Sequence, residues 1–580
     1  MDKSLENFKV WAGNVSAEEK NELSSLEGND KEIMERFSLP LEFGTAGMRG
    51  VLGLGTARMN KYTVRRASFG LGKFICGLGE DAKKRGVVIS YDTRNMSFEF
   101  ALETAKALAS FGIYVRIFEN VRPVPVCSFA VRNYKAIAGV MITASHNPKQ
   151  YNGYKVYGDD GAQMSPEATA EVVKFIEKSD YFEKADISIT TSSRDDFYGK
   201  DKFKINEFIE IIGKSLDEKY FNEIEKLSLS KEEIKKVGSS LKLVYTPIHG
   251  SGCMPVTTIL KRLNINFNIV EEQKLPDSEF STVPVPNPEQ PEALKMGIDL
   301  AEKIGGEVVI GTDPDCDRMG VALKKGGEFI LLTGNQIGVL LLDYIIRRKR
   351  ELGKLNKNDA VVKSIVSTRL TEKIAKDAGV NVFTVLTGFK FIGEKIKEWE
   401  DSGEYNFLFG FEESYGYLSG THARDKDAVV ASMLFAEMVC YYKYHNLSVY
   451  DRLSEIYNTY GYYRESSNSI FYDGLDGMEK MKSIMQKLRE NSPKEIAGIK
   501  VLSVADYLTS EKYFSDGSSQ KIDLPKTNAL EYNLPNDCWV TVRPSGTEPK
   551  IKIYTAVCAE SLDKAIEINN KLKDEMLAKC

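Results

Sequence analysis

Residues 306–318 read GEVVIGTDPDCDR. A short apolar, β-branched run stops at a turn that carries three carboxylates, Asp313, Asp315 and Asp317, with Pro314 and Cys316 between them. An apolar run without polar alternation is the signature of a strand buried on both faces, as in a parallel sheet. Two other stretches repeat the pattern of strand followed by polar turn: AGVMITASHNP (138–148) and YNFLFGFEES (405–414).

Each of these runs ends a series. VVISYD (87–92) and YVRIFENV (114–121) precede the first. LKLVYTP (241–247) and NFNIVEE (266–272) precede the second, and AVVKSIVST (360–368) and NVFTVLTG (381–388) the third. Amphipathic helical stretches separate them, such as ALETAKALASFG (101–112) with its glycine stop. Strands alternating with helices predict βαβ units and parallel pairing. The fold class is therefore α/β, one unit used three times, with mixed or parallel sheets. A fourth block differs: CWVTV (538–542) and IKIYTAV (551–557) flank a turn-rich loop, and the helix SLDKAIEINNKLKDEMLAK follows. It predicts a smaller C-terminal α+β domain. Residues 1–40 read as a polar helical lead-in. The expected domains are 1–203, 204–325, 326–460 and 461–580, with linkers near 184–204 and 459–470.

Composition excludes several classes of function. The chain has 580 residues, enough for about four domains. Its net charge of −5 gives no field to gather nucleic acid or an anionic membrane surface. The N-terminus MDKSLENFKVWAGNV lacks an apolar signal core, and the longest apolar run, Ala428 to Ala436, is broken by Glu437. Eight scattered cysteines, none in a C-x-x-C pair, fit reduced thiols. The expectation is a cytoplasmic protein that acts on a small molecule, as a monomer or dimer. An anionic substrate would be met by local basic groups.

Ligands of open α/β sheets bind outside the carboxyl ends of the strands. The loops there are TASHNP, DPDCDR and the EES of GFEES. Ser145 in the first can be an exposed nucleophile, although Ser, Asn and Pro are also ordinary turn residues. No G-x-S-x-G elbow surrounds it. In the second, three carboxylates within five residues repel one another unless a hard cation with oxygen ligands relieves them. An EF-hand is excluded, because Arg318 follows Asp317 and Lys324 stands where the last ligand would be. Glu412 and Ser414, two apart, would face one way on extended backbone and suit sugar hydroxyls. In RPSGTEPK (543–550), Arg543 with Ser545, Gly546 and Thr547 could grip phosphate. FGTAGMRG (43–50) adds Arg49 after a glycine-rich stretch. No G-x-x-x-x-G-K-[ST] loop is present.

TASHNP, DPDCDR, GFEES and RPSGTEPK, in this order across residues 40 to 560, resemble the α-D-phosphohexomutase family of phosphoglucomutases and phosphomannomutases. The resemblance implies four domains in a heart-shaped molecule around a central cleft. It implies that Ser145 is a phosphoserine, and that Asp313, Asp315 and Asp317 bind Mg²⁺ together with its phosphate. Arg318, Arg49 and His146 would line that site. Lys155, in NGYK, matches a lysine near the reacting hydroxyl. Thr387, Gly388 and Lys390, in TGFK, would lie beside the sugar. Glu412 and Ser414 would bind its hydroxyls. Arg543, Ser545, Gly546 and Thr547 would hold the non-reacting phosphate, and Lys426, in RDKDA, is a further basic position. The implied reaction interconverts glucose 1-phosphate and glucose 6-phosphate through a bound glucose 1,6-bisphosphate. Mannose or pentose phosphates are the alternative substrates, and a phosphatase or a metabolite-binding protein the remoter readings.

Two departures matter. Many members read DGDGDR, where this chain has Pro314 and Cys316. Many phosphomannomutase-type members carry a histidine two places after the sugar-loop serine, where this chain has Gly416. The pattern resembles the phosphoglucomutase and phosphopentomutase branch. It leaves Lys390 and Lys155 as candidate general bases, each requiring a lowered pKa.

Overall fold

The computed structural model describes residues 3–44, 47–189, 193–472, 477–545 and 550–580. The mostly apolar runs become central strands: every residue of Val87–Tyr91, Ala138–Ile142 and Val308–Thr312 is buried. Burying such residues on both faces contributes about 1.5–3 kcal/mol for each large aliphatic side chain. This is why these runs pair at the centre of their sheets.

The chain divides into two compact units. The first comprises Met1–Gly334, Ile392–Gly410 and Ser414–Asn446, and the second Asn335–Phe391, Phe411–Glu413 and Leu447–Cys580.

The first unit holds two mixed sheets. In one, the strand order is Met48–Val51, Tyr151–Tyr157, Ala138–Ile142, Val87–Tyr91, Val115–Phe118, Ile209–Ile212 and Phe203–Lys204. The four strands from Ala138–Ile142 to Ile209–Ile212 run parallel. The remaining three pair antiparallel at the edges. This sheet passes the expected boundary at residue 203, because Ile209–Ile212 pairs with Val115–Phe118 and buries three of its four residues. Of the expected linker 184–204, Thr190, Thr191 and Ser192 lie outside the described residues, and Phe203–Lys204 is already strand. The other sheet runs Glu328–Leu331, Met319–Lys325, Val308–Thr312, Leu243–Thr246, Phe267–Ile269, with the last three parallel. The 1–40 segment forms three helices around Trp11, whose ring meets Phe37, Tyr62, Tyr181 and Phe182 at 5.3–5.8 Å between centroids.

In the second unit Asp359–Ser364 pairs in parallel with Asn381–Val385, as the third αβ repeat requires. The C-terminal domain is a seven-stranded sheet, antiparallel throughout, ordered from Tyr462–Phe471 through Lys550–Ala559 and Trp539–Pro544 to Ser519–Lys521. Helix Leu562–Lys579 packs on it. The expected linker 459–470 is corrected here. Residues 462–471 form its longest pairing, with Lys550–Ala559. The alternation of Tyr463, Glu465, Ser467 and their neighbours was polar enough to read as coil, yet an edge strand tolerates that pattern. Among the described residues, no helix is long and apolar enough to cross a membrane.

Candidate functional site

The serine loop leaves the carboxyl end of Ala138–Ile142 and returns as the antiparallel strand Tyr151–Tyr157. That return places Lys155 opposite Met141, and Arg49 opposite Gly153. Gly153 is required by close approach: a Cβ there would lie 2.5 Å from the Thr143 carbonyl oxygen. Ser145 is 3% exposed and adopts φ +52°, a left-handed conformation that costs a serine energy. Three contacts hold it. Its amide donates to Thr143 Oγ1 at 2.8 Å, its Oγ donates to Asp313 Oδ2 at 2.8 Å, and His146 Nδ1 lies 3.1 Å from the same Oγ. Arg49 donates to Asn147 Oδ1 at 3.0 Å.

Beneath this loop lies a pair that the sequence reading missed. The buried Arg94 guanidinium donates to the carbonyls of Ser145, Asn147, Pro148 and Tyr151, four acceptors on one loop. Asp92 accepts from Thr143 Oγ1 and Ser97 Oγ, each at 2.7 Å. The signal was available, since Asp92 and Arg94 follow strand Val87–Tyr91 at its carboxyl end.

The aspartate loop folds around its first carboxylate. Asp313 Oδ1 accepts the amides of Asp317 at 3.1 Å and Arg318 at 3.0 Å, and the Cys316 amide closes a turn onto the Asp313 carbonyl at 2.9 Å. Cys316 sits at φ +49°, the conformation glycine adopts most easily. One oxygen from each of Asp313, Asp315 and Asp317 lies within 4.8 Å of the others, and all three residues are buried. Asp315 Oδ1 and Asp317 Oδ1 are buried without a hydrogen-bond partner. Three carboxylates this close, with two buried oxygens lacking a partner, fit a hard divalent cation.

Two ammonium groups balance this cluster. Lys155 Nζ lies 2.8 Å from Asp315 and 3.6 Å from Asp317, and Lys426 Nζ lies 3.0 Å from Asp317 and 2.9 Å from Asp425. Burial opposes charge on Lys155, but Asp315 and Asp317 outweigh it and hold the ammonium above its ordinary range. The lowered pKa expected of Lys155 as a base is therefore reversed. Burial, then Asp315 and Asp317, push Asp313 well above the carboxylate range. Burial and the cations Arg318 and Arg49 hold His146 well below its usual value, so its ring is neutral. Arg318 pairs with Glu289 at 2.6 Å and lies 3.9 Å from Asp317. Ser145, His146, Lys155, Arg49, Arg318, Lys426 and the three aspartates thus gather within the first unit.

The second unit carries another set. Glu412 Oε1 accepts the Gly388 amide at 2.7 Å, which joins the GFEES loop to the TGFK turn, and Gly388 needs its φ of +118°. Thr387 precedes it, and Lys390 Nζ lies over the Phe391 ring at 4.8 Å from the centroid. Ser364 donates to Glu413 at 3.2 Å. Burial first, then the Glu412 carboxylate, push Glu413 up to about 7. Arg543 lies on Trp539–Pro544, and burial pushes the Tyr554 hydroxyl up, with the Glu413 charge adding to it and the Arg543 charge opposing it. The Ser545 amide donates to the Lys550 carbonyl at 2.8 Å. Gly546 and Thr547 lie outside the described residues, as do Thr45 and Ala46 of the Arg49 stretch. The expected extended backbone from Glu412 to Ser414 is corrected: the strand ends at Glu412 and residues 413–415 turn, with Tyr415 at φ +66°. Ser414 belongs to the first unit.

The chain is similar to proteins already known. The chain matches the family descriptions phosphoglucomutase/phosphomannomutase alpha/beta/alpha domain I over residues 40–183, domain II over 218–327 and domain III over 333–460. It is 40% identical over 545 residues to a protein named phosphoglucomutase from Staphylococcus aureus strain MRSA252, covering 93% of this chain and 94% of that one. The strain USA300 protein of the same name is 39% identical over the same span. Two solved structures share the fold at 17% identity and a TM-score of 0.64: a phosphoglucomutase/phosphomannomutase family protein from Burkholderia thailandensis, and the open form of parafusin, a phosphoglucomutase, from Paramecium. Each covers 93% of this chain, and 97% and 96% of its own length is matched.

Proposed function

The chain belongs to the phosphoglucomutase/phosphomannomutase family, and from that premise we propose that it is a cytoplasmic, Mg²⁺-dependent phosphoglucomutase that interconverts glucose 1-phosphate and glucose 6-phosphate. The observation that carries this reading is the Ser145 hydroxyl donating to Asp313 at 2.8 Å beside the aspartate cluster. The name of the Staphylococcus relatives supports glucose over mannose or pentose.

In this reading a phosphorylated Ser145 is the carrier. Its Oγ–P bond breaks as a P–O bond forms to the free hydroxyl of the hexose monophosphate, giving glucose 1,6-bisphosphate. The proton leaves that hydroxyl and an equivalent one returns to Ser145 Oγ. The bisphosphate then presents its other phosphate, and the same bonds form and break in reverse. Neutral His146, whose Nδ1 lies 3.1 Å from Ser145 Oγ, helps to orient the serine between the two half-reactions. Lys155, 2.8 Å from Asp315, is placed as a cationic contact to the moving phosphoryl group, and Lys390 as the lysine that accepts the sugar proton. Mg²⁺ bound by Asp313, Asp315 and Asp317 would neutralise charge on the transferring group. Arg49 and Arg318 supply donors for phosphoryl oxygens. Glu412, Ser414, Thr387 and Gly388 are of the type that binds sugar hydroxyls, and Arg543 and Ser545 of the type that binds a second phosphate.

Two measurements test the proposal together. Turnover of glucose 1-phosphate, mannose 1-phosphate and ribose 1-phosphate is compared in parallel. Intact mass is recorded before and after incubation with glucose 1,6-bisphosphate. Glucose preference with one added phosphate, absent in Ser145→Ala, supports the reading. Free phosphate without isomerised sugar makes the protein a phosphatase, and preference for another sugar moves the substrate.

A further inference from the structure

Three successive carbonyl groups of the aspartate turn are held from three different stretches of the first unit. The Pro314 carbonyl accepts two bonds from Ser251, one from its amide and one from its Oγ, each at 2.8 Å. The Asp315 carbonyl accepts the Val124 amide at 3.0 Å, and the Cys316 carbonyl accepts the Ala428 amide at 3.2 Å. Val124 and Ala428 are the first residues of helices Val124–Tyr134 and Ala428–Tyr444. Their amides lack partners within the helix, and here they face the loop. These bonds fix the backbone that carries the three carboxylates, which repel one another.

Ser251 gives the strongest of these holds, and its own loop is built to keep it there. Residues 246–251 leave strand Leu243–Thr246, which lies parallel and adjacent to Val308–Thr312. Ile248 and His249 both adopt left-handed backbone, φ +46° and +60°. Each such residue costs on the order of 1–3 kcal/mol and persists only where its surroundings impose it. Here His249 is bound at its amide by the Gln273 carbonyl (2.8 Å) and at its ring by Leu275 O (3.0 Å) and Thr282 Oγ1 (2.8 Å). Gly250 then passes so close that a Cβ would lie 2.6 Å from Pro314 Cα. Strain in one loop is thus spent on the placement of another.

We propose that Ser251 is a positioning residue for the reaction: its hydroxyl, acting on the Pro314 carbonyl, presets the spacing of Asp313 and Asp315 for the cation. This rests on the reading of those aspartates as metal ligands. Ser251→Ala keeps the backbone half of the hold, so the fold is retained while the loop loosens. The test is Mg²⁺ titration by calorimetry on full-length wild-type and Ser251→Ala protein, with circular dichroism and melting temperature recorded alongside. A Kd raised about 10-fold, in line with the 10–100-fold typical of groups behind the ligands, supports the proposal. The midpoint of the metal-induced rise in melting temperature should move by the same factor. A Kd within twofold of wild type overturns it, even if the melting temperature falls, since that is the behaviour of a merely structural residue. If Ser251→Ala does not fold, Ser251→Cys applies the same criterion, because it fills the same space and replaces the hydroxyl with a weak donor. Wild-type protein that binds no divalent cation removes the metal reading itself, a separate result.

Discussion

Ser145 Oγ and Asp313 Oδ2 lie 2.8 Å apart although 168 positions separate them in the chain. One is at the carboxyl end of a strand in the first sheet, the other at the carboxyl end of a strand in the second. The bond joins the group proposed to carry phosphate to the group proposed to hold the metal, and it sets the first expectation. Ser145→Ala should lower mutase turnover by at least ~10³-fold, as loss of a covalent carrier does. Its far-ultraviolet circular dichroism should be unchanged, and no phosphate should be gained from glucose 1,6-bisphosphate. Retained turnover would remove the carrier role.

Asp315→Asn takes one charge from the buried triad. It should weaken Mg²⁺ binding by at least ~10–100-fold, the range seen even for groups one step behind the ligands. Calorimetry on the folded variant measures this directly. An unchanged affinity would place the metal elsewhere.

Arg543→Ala removes the guanidinium proposed to grip the phosphate that does not react. Binding of this kind is made equally in ground and transition states, so KM should rise while kcat changes little. A charged hydrogen bond of about 1.5–3 kcal/mol corresponds to a roughly 10–100-fold rise. A fall in kcat at constant KM would assign Arg543 to the chemistry instead.

Glu413 makes stability depend on pH. Its pKa is pushed up to about 7 by burial, then by Glu412, against about 4.3 in an unfolded chain. Folding therefore favours the protonated form. The stabilisation is fully present below about pH 4.3 and is lost as pH rises through about 7, and amounts to at most about 3–4 kcal/mol. Glu413→Gln should remove this slope from urea midpoints measured between pH 5 and 8. A variant with the same slope as wild type would show that another group is responsible.

The sequence alone determined the parallel cores. Runs such as VVISY, AGVMI and VVIGT are uncharged and mostly apolar, so a site buried on both faces accommodates them, and each is a central strand. It also located the loops, because polar groups at strand ends mark where a sheet meets its ligand. The antiparallel return strands of the first unit were not legible. Tyr151–Tyr157 and Met319–Lys325 follow directly on the serine and aspartate loops and read as part of them, yet the first of these return strands is what delivers Lys155 to Asp315. Tyr462–Phe471 is half polar and carries no strand signal of its own, because what makes it a strand is its partner Lys550–Ala559, far along the chain. The charge state of Lys155 was likewise a tertiary outcome. A lysine beside other cations would lose its proton, and one between two carboxylates keeps it. Local composition fixes which residues must be buried. The neighbours that long-range pairing brings decide which hydrogen bonds and charges those residues meet, and so what Ser145, Lys155 and Asp313 can do.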